Sequence, residues 1–239
     1  MKITIGHLFP DLLNLYGDRG NIAALTRRMQ ACGIETEVKS YGIDDDINFA
    51  DLDIVFIGGG SDREQLLVCK KLLTIKSDIT QYVENGGTLA AVCGGYQLLG
   101  HYYQLENEKI EGLKILDIYT VQGSPRLIGN IILDSDYIGT TVVGFENHGG
   151  RTFINSHKPL GKVLYGYGND GESGYEGVVY KNVVATYLHG PLLPKNPVLA
   201  DKIIENAVTK KDASFVLSDI DSALENTAHD YIIKRFLKK

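Results

Sequence analysis

The sequence predicts an α/β fold. A largely parallel central sheet is flanked by helices, an antiparallel β region is added to it, and residues 1–239 form one domain. Three observations predict this. Short apolar runs at Asp53–Ile57, Thr88–Val92 and Val183–Leu188 read as strands buried on both faces. Two of them run straight into glycine turns, Gly58-Gly59-Gly60 and Gly94-Gly95, and then into helical text. From about Ile110 to Tyr180 the text turns β-rich, with strands separated by turn residues.

Composition narrows the class. With 44% apolar residues the chain can bury a substantial core. A net charge of −6 with no basic cluster argues against a nucleic-acid surface. Cys32, Cys69 and Cys93 are scattered, with neither disulfide nor metal spacing. The stretch Met-Lys-Ile-Thr-Ile-Gly-His has too few apolar residues for a signal peptide, and no run approaches a membrane span. A reducing cytoplasm, where a thiol stays usable, is the expected location.

Taken in order, Lys2–Gly6 is the first strand. The loop Phe9–Asn21, rich in Asp, Asn and Gly, follows at a strand end, where open α/β sheets place ligand contacts. Asn21 is expected to cap a helix with Ile22, Leu25, Met29 and Cys32 on its apolar face and Gly33 at its close. Glu35–Val38 alternates in polarity, as an edge strand does. Ser61 and Glu64 have capping-box spacing, and helical text continues to about Val83, with Cys69 inside, until Asn85-Gly86-Gly87 stops it. A further helical pattern opens with Tyr96, Leu99 and Tyr103. Ile110–Tyr119, Leu127–Leu133 and Thr140–Phe145 are β-rich, with Gly123-Ser124-Pro125 as a turn. Gly161–Gly177 is dense in glycine and, with Phe9–Asn21, is expected near the mouth of a site. Asn196-Pro197 opens a helix through Val198, Leu199, Ile203, Ile204 and Ala207. Ser222 and Glu225 repeat the capping-box spacing before a last helix, with Leu224, Ala228, Tyr231, Ile232 and Phe236 facing in.

The chemistry centres on Cys93. It stands at a strand-to-helix junction with small residues at Ala91 and Gly95, because the chain nearly touches itself there. That is the pattern of a nucleophile elbow, which lifts the side chain into solvent and aims N–H groups at it, favouring the thiolate. The alternative is a buried structural thiol; the small flanking residues favour the nucleophile. A thiol nucleophile needs a base. His148, in Gly144-Phe-Glu-Asn-His-Gly-Gly150, and His189, in Ala185-Thr-Tyr-Leu-His-Gly-Pro191, compete. His189 ends a strong strand beside the elbow, and that geometry favours it; His7, His101, His157 and His229 lie in ordinary settings.

The glycine turn Gly58–Gly60, the elbow Val92-Cys-Gly-Gly-Tyr-Gln97 and Thr186-Tyr-Leu-His-Gly190 occur in the order seen in class I (triad-type) glutamine amidotransferases, which the chain resembles. The Cys-Gly-Gly-Tyr-Gln and Tyr-Leu-His-Gly forms are similar to those of the cobyric acid synthase-like branch. Asp11–Asn21, Gly58–Gln65, Arg126–Asn130 and Phe145–Thr152 extend the likeness over nearly the whole chain, toward stand-alone glutaminase subunits of peptidoglycan amidation.

The resemblance implies a flavodoxin-like sheet and a glutaminase. Cys93 attacks the side-chain amide of L-glutamine, His189 shuttles the proton, and backbone N–H groups of Gly59 and Gly94 hold the oxyanion. Gln97 matches a substrate-contacting position. Arg126 is a candidate for the substrate α-carboxylate, with a solvated loop arginine as the equal alternative. Many class I members carry an acid two residues after the histidine; here Pro191 stands there. The third triad member is then absent or comes from elsewhere, with Glu146 and Asp18 as candidates, and the dyad would need a partner to become fully active. The chain has no Gly-x-x-x-x-Gly-Lys-Ser/Thr loop. By resemblance its ammonia passes to a Mur-ligase-like subunit that holds ATP and Mg and amidates D-glutamate of lipid II; this chain needs no cofactor. Other readings are a glutaminase for another acceptor such as a corrinoid, a catalytically idle partner-binding module, and a Cys hydrolase acting alone.

Overall fold

The computed structural model describes residues 1–15 and 17–237; Tyr16, within the loop expected at the mouth of the site, lies outside them. The first sheet runs β11 (Val178–Tyr180), β12 (Val183–Thr186), β4 (Thr88–Val92), β3 (Ile54–Ile57), β1 (Lys2–Leu8) and β2 (Glu35–Tyr41). Its pairings are parallel except β11 with β12. β3, β4 and β12 are buried throughout, which explains their unbroken apolar text. The edge strand β2 alternates instead.

The order of strands creates the site. From β1 the chain moves outward through α1 (Arg19–Ala31) to β2, then crosses back to β3 on the other side of β1. The loops after β1 and β3 therefore part at a topological switch point, where parallel sheets leave a crevice. β4 and β12 lie next in line. Four neighbouring strand ends thus deliver, side by side, the loop after Leu8, Gly58–Gly60, Cys93 and the segment leading to His189.

The second sheet runs β10 (Tyr175–Glu176), β9 (Gly161–Tyr165), β7 (Tyr119–Ser135), β5 (Tyr102–Gln104) and β6 (Lys109–Glu111), with β8 (Thr140–Phe153) paired antiparallel to β7. Gly123-Ser124-Pro125 does not turn the chain: it lies inside β7, where the register with β8 shifts between Gln122 and Leu127. The two sheets are joined where Phe145 and His189 exchange both backbone hydrogen bonds, at 3.2 and 2.9 Å.

The helices depart from the sequence expectation in informative places. Helix α1 begins three residues early, at Arg19 and not Ile22; Asn21 lies within it, and its buried Oδ1 accepts from Leu193 N–H at 2.8 Å instead of capping the helix. Cys32 is only half-buried. The capping box of Ser61 and Glu64 is formed at the start of α2 (Asp62–Thr74), but the helical text breaks at Ile75 before α3 (Lys76–Glu84). After the elbow, α4 (Gly94–Leu98) is short, and Tyr103 lies on β5. Asn196 precedes α5 (Pro197–Lys211) but spends its amide on Val143 and Leu192. Before α6 (Ala223–Phe236) the Ser222 hydroxyl caps nothing; it accepts from Arg28 and donates to Ile220 O. Leu224 and Tyr231 face outward, 73% and 59% exposed, because α6 packs on the outside of the fold and only its opposite stripe is half-buried. No helix among the described residues is long and apolar enough to cross a membrane.

Candidate active site

Cys93 adopts φ 53° and ψ −106°, a left-handed conformation for a non-glycine residue. Strain of this kind costs roughly 1–3 kcal/mol and persists only where the surroundings impose it. Here β12 fixes one side, since Cys93 N–H donates to Thr186 O at 2.8 Å. On the other side Gly95 N–H donates to Gly58 O at 3.1 Å, and a Cβ on Gly95 would stand 2.6 Å from Ile57 O. The small residue at that position is thus a steric requirement. Gly94 N–H donates to the thiol sulfur.

The elbow does not lift Cys93 into solvent. The residue is 7% exposed, and burial, with the Asp18 charge second, pushes the thiol up to about 12. Gly94 N–H and the Arg126 charge pull the other way and are outweighed. The expectation of a favoured thiolate is therefore corrected: N–H donors acting on sulfur cannot offset the loss of water.

Thr186 of β12 pairs with Val92 of β4, so His189 follows the strand end beside the elbow. It is 1% exposed, and burial first, then the nearby His148 and Arg126, lower it to about 3. His148 is a neighbour with a different posture. Its Nδ1–H donates to Gly150 O at 2.8 Å, its ring lies flat on Tyr187 with centroids 3.6 Å apart, and its Nε2 is 3.7 Å from Glu146. Both candidate acids are committed to other groups. Glu146 accepts from Tyr167 and Gly168 N–H at 2.7 and 2.9 Å. Those donors lie in the glycine-dense Gly161–Gly177 segment, which folds partly into β9 and β10 and reaches this buried carboxylate.

Asp18 has the more consequential position. Its Oδ2 accepts from Gly59 N–H at 2.9 Å. A Cβ on Gly59 would stand 3.6 Å from the Cys93 sulfur, so this N–H belongs to a residue packed against the nucleophile. The loop after β1 also grips the carbonyl side, with Leu15 N–H donating to Gly59 O at 3.0 Å. Leu13 O and Leu12 O lie within 2.2 and 2.9 Å of where Cβ atoms on Gly58 and Gly60 would be. The glycines therefore make room for the loop as much as for any ligand.

Arg126 is exposed at the β7 irregularity and is oriented by Asn147, with Nη2 donating to Asn147 O at 2.9 Å and Oδ1 at 3.1 Å. Its charge acts on both Cys93 and His189, which puts this exposed guanidinium beside the site. Gln97 is buried, and its Nε2 donates to Tyr187 OH at 3.0 Å. It therefore belongs to a buried chain that continues from Tyr187 OH through Thr152 at 2.6 Å to Thr120 at 2.8 Å. Sequence reasoning gave no role to Thr120, Thr152, Gln65 or Tyr187; Gln65, Thr152 and Tyr187 lay inside quoted motifs, and Thr120 in none. Gln65 is buried across both glycine turns: its Nε2 donates to Gly60 O at 3.2 Å, and its side chain fills the space over Gly94. The arrangement suits nucleophilic attack on a small carbonyl compound, with backbone donors at the elbow and a base on the next strand.

Comparison with known proteins follows the same lines. A family described as the CobB/CobQ-like glutamine amidotransferase domain matches residues 4–197. The subunit GatD of the glutamine-hydrolysing lipid II isoglutaminyl synthase of Staphylococcus aureus is 45% identical over 235 residues, 98% of this chain and 96% of that protein. GatD of Streptococcus pneumoniae is 42% identical over 213 residues, 88% and 82% of the two chains. Among solved structures, PurLQS of Thermotoga maritima superposes with a TM-score of 0.61 at 16% identity, covering 89% of this chain and all of that one, a likeness of fold.

Proposed function

The chain belongs to the CobB/CobQ-like glutamine amidotransferase family, and from that premise we propose that it is the glutaminase subunit of a lipid II isoglutaminyl synthase. The observation that carries the chemical part is the elbow: Cys93 is held at φ 53° with Gly94 N–H on its sulfur, beside the strand end that leads to His189. Cys93 attacks the side-chain carbonyl carbon of L-glutamine as its proton passes to His189. The C–N bond breaks, ammonia leaves with that proton, and water cleaves the γ-glutamyl thioester to glutamate. The developing oxyanion lies against the N–H groups of Gly59 and Gly94; one such donor is typically worth about 3 kcal/mol of barrier. Arg126, pre-oriented by Asn147, suits the α-carboxylate. Gln97 acts from behind through Tyr187.

The acceptor is proposed from relatives that match nearly end to end and are named for lipid II. The partner is a Mur-ligase-like subunit holding ATP and Mg, in a cytoplasmic heterodimer, and this chain itself carries no cofactor. The test is glutamate release from L-glutamine by wild type, Cys93→Ala and His189→Ala, alone and with the partner, together with transfer of isotope-labelled amide nitrogen to lipid II. We expect release to fall at least a thousandfold in both variants and label to reach lipid II only in the wild-type pair. Glutamate release without labelled lipid II would remove the acceptor and favour another one, such as a corrinoid. No release under any condition would leave an idle binding module.

A further inference from the structure

One feature of the free chain is at odds with its being ready to react. An oxyanion donor must stand about 2.7–3.1 Å from the place the oxyanion will occupy, with its hydrogen directed there. Gly59 N–H has one hydrogen, and that hydrogen is directed at the Asp18 carboxylate, 2.9 Å away. Asp18 is fully buried at the start of α1, 41 residues from Gly59 in sequence, and its other oxygen is 3.4 Å from Asn21 Nδ2. A Cβ on Gly58 would lie 2.8 Å from the same carboxylate oxygen, so two glycine positions cradle it. The Asp18 charge also opposes ionisation of Cys93. A thioester-forming step builds negative charge at the same point, so a resident carboxylate works against it twice: it holds the donor and repels the charge.

We infer that Asp18 is a displaceable occupant of the oxyanion position: its carboxylate holds Gly59 N–H in the free chain and yields it when glutamine's amide oxygen arrives. The inference rests on the glutaminase reading and assigns Asp18 as a positioning residue acting through Gly59. It also replaces the expectation that Asp18 orients the histidine. The grip is carried by a loop that holds both sides of the Gly59 residue, since Leu15 N–H takes its carbonyl, and Leu15 is itself 56% exposed at the surface. The resting state is thus set by a segment that an outside molecule can reach.

Two variants separate the two effects. Asp18→Asn removes the charge but keeps an acceptor for Gly59 N–H; Asp18→Ala removes both. Glutamate release from L-glutamine and iodoacetamide alkylation of Cys93, followed by the mass of its peptide, are measured on each chain alone and with the partner subunit. The expected result is severalfold faster alkylation in both variants, since the Asp18 charge opposes ionisation of the thiol. For kcat in the lone chain the expected gain is severalfold for Asp18→Asn, which removes only the charge, and larger for Asp18→Ala, which also frees the Gly59 N–H, with KM little changed. Unchanged alkylation, or a kcat that falls in both variants while the far-ultraviolet spectrum is native, overturns the proposal and makes Asp18 a support of the glycine turn. If Asp18→Ala does not fold, the alkylation rate of Asp18→Asn decides. If the wild type releases no glutamate, the glutaminase reading fails, and the alkylation ratios still judge Asp18.

Discussion

Burial acts oppositely on an acid and a base, and at residue scale it leaves Cys93 and His189 both uncharged. The thiol is pushed up to about 12 and the imidazole down to about 3, each mainly by loss of water. At neutral pH the site holds SH and neutral imidazole, not a thiolate–imidazolium pair. In the free chain the Cys93 thiolate fraction then grows tenfold per pH unit across the whole alkaline range below about 12. Iodoacetamide alkylation of Cys93 is expected to keep climbing from pH 7 through pH 10; a plateau reached between pH 6 and 8 would show a preformed ion pair and refute this account. The nucleophile, the competing histidines and the glycine turns could be named from the sequence, because strand ends, glycines and cysteines carry local signals; Arg126 and the oxyanion roles of Gly59 and Gly94 came from the family resemblance. The charge state could not, since it depends on how completely surrounding elements exclude water. Nor could the Asp18 contact with Gly59, which joins loops after two different strands and leaves no periodic trace.

At the scale of elements, the elbow works because β4 and α4 nearly touch β3. Gly95 meets Ile57 O, the Ile57 side chain and Gly58 O all within 3.0 Å of where a Cβ would stand. Most of that wall is backbone and cannot rotate away. Gly95→Ala is expected to destabilise the fold by about 1–3 kcal/mol, the usual range for overpacking, read as a lower urea midpoint with unchanged slope. It should also lower kcat more than it raises KM, since it displaces the turn that aims the thiol. This element was legible because its constraint is local. Buried strands announced themselves by apolar runs, and Ser61 with Glu64 by spacing. The last helix did not announce its orientation. Its apolar residues spread around the cylinder, so Leu224 and Tyr231 looked inward by pattern yet point outward. Asn21 and Asn196 likewise read as caps, and each is spent on a distant backbone group that the local sequence gives no hint of.

For the whole molecule, the decisive question is how two sheets hold one site. Asn196 is one fastening. Buried, it accepts from Val143 N–H at 2.8 Å and donates to Val143 O and Leu192 O at 2.7 Å each, tying β8 to the turn before α5. Asn196→Ala would take this partner from Val143 N–H and O and leave Leu192 O with Lys195 N–H alone; it is expected to cost about 2 kcal/mol or more, measured by urea unfolding; a loss under 0.5 kcal/mol would show that water replaces the amide. Phe145 and His189 are another fastening, backbone to backbone, and buried Glu176 of β10 a third, accepting from the Thr186 hydroxyl and Tyr187 N–H at 2.7 Å each. The nucleophile rides on one sheet, while the base is stitched to the other by its own main chain. In a machinist's terms, the two parts are located against one another by a row of pins along one seam. Misfit arising in either is passed undamped to the gap where the bond is broken, so wear anywhere along the seam shows first as lost timing and only later as a lost fold.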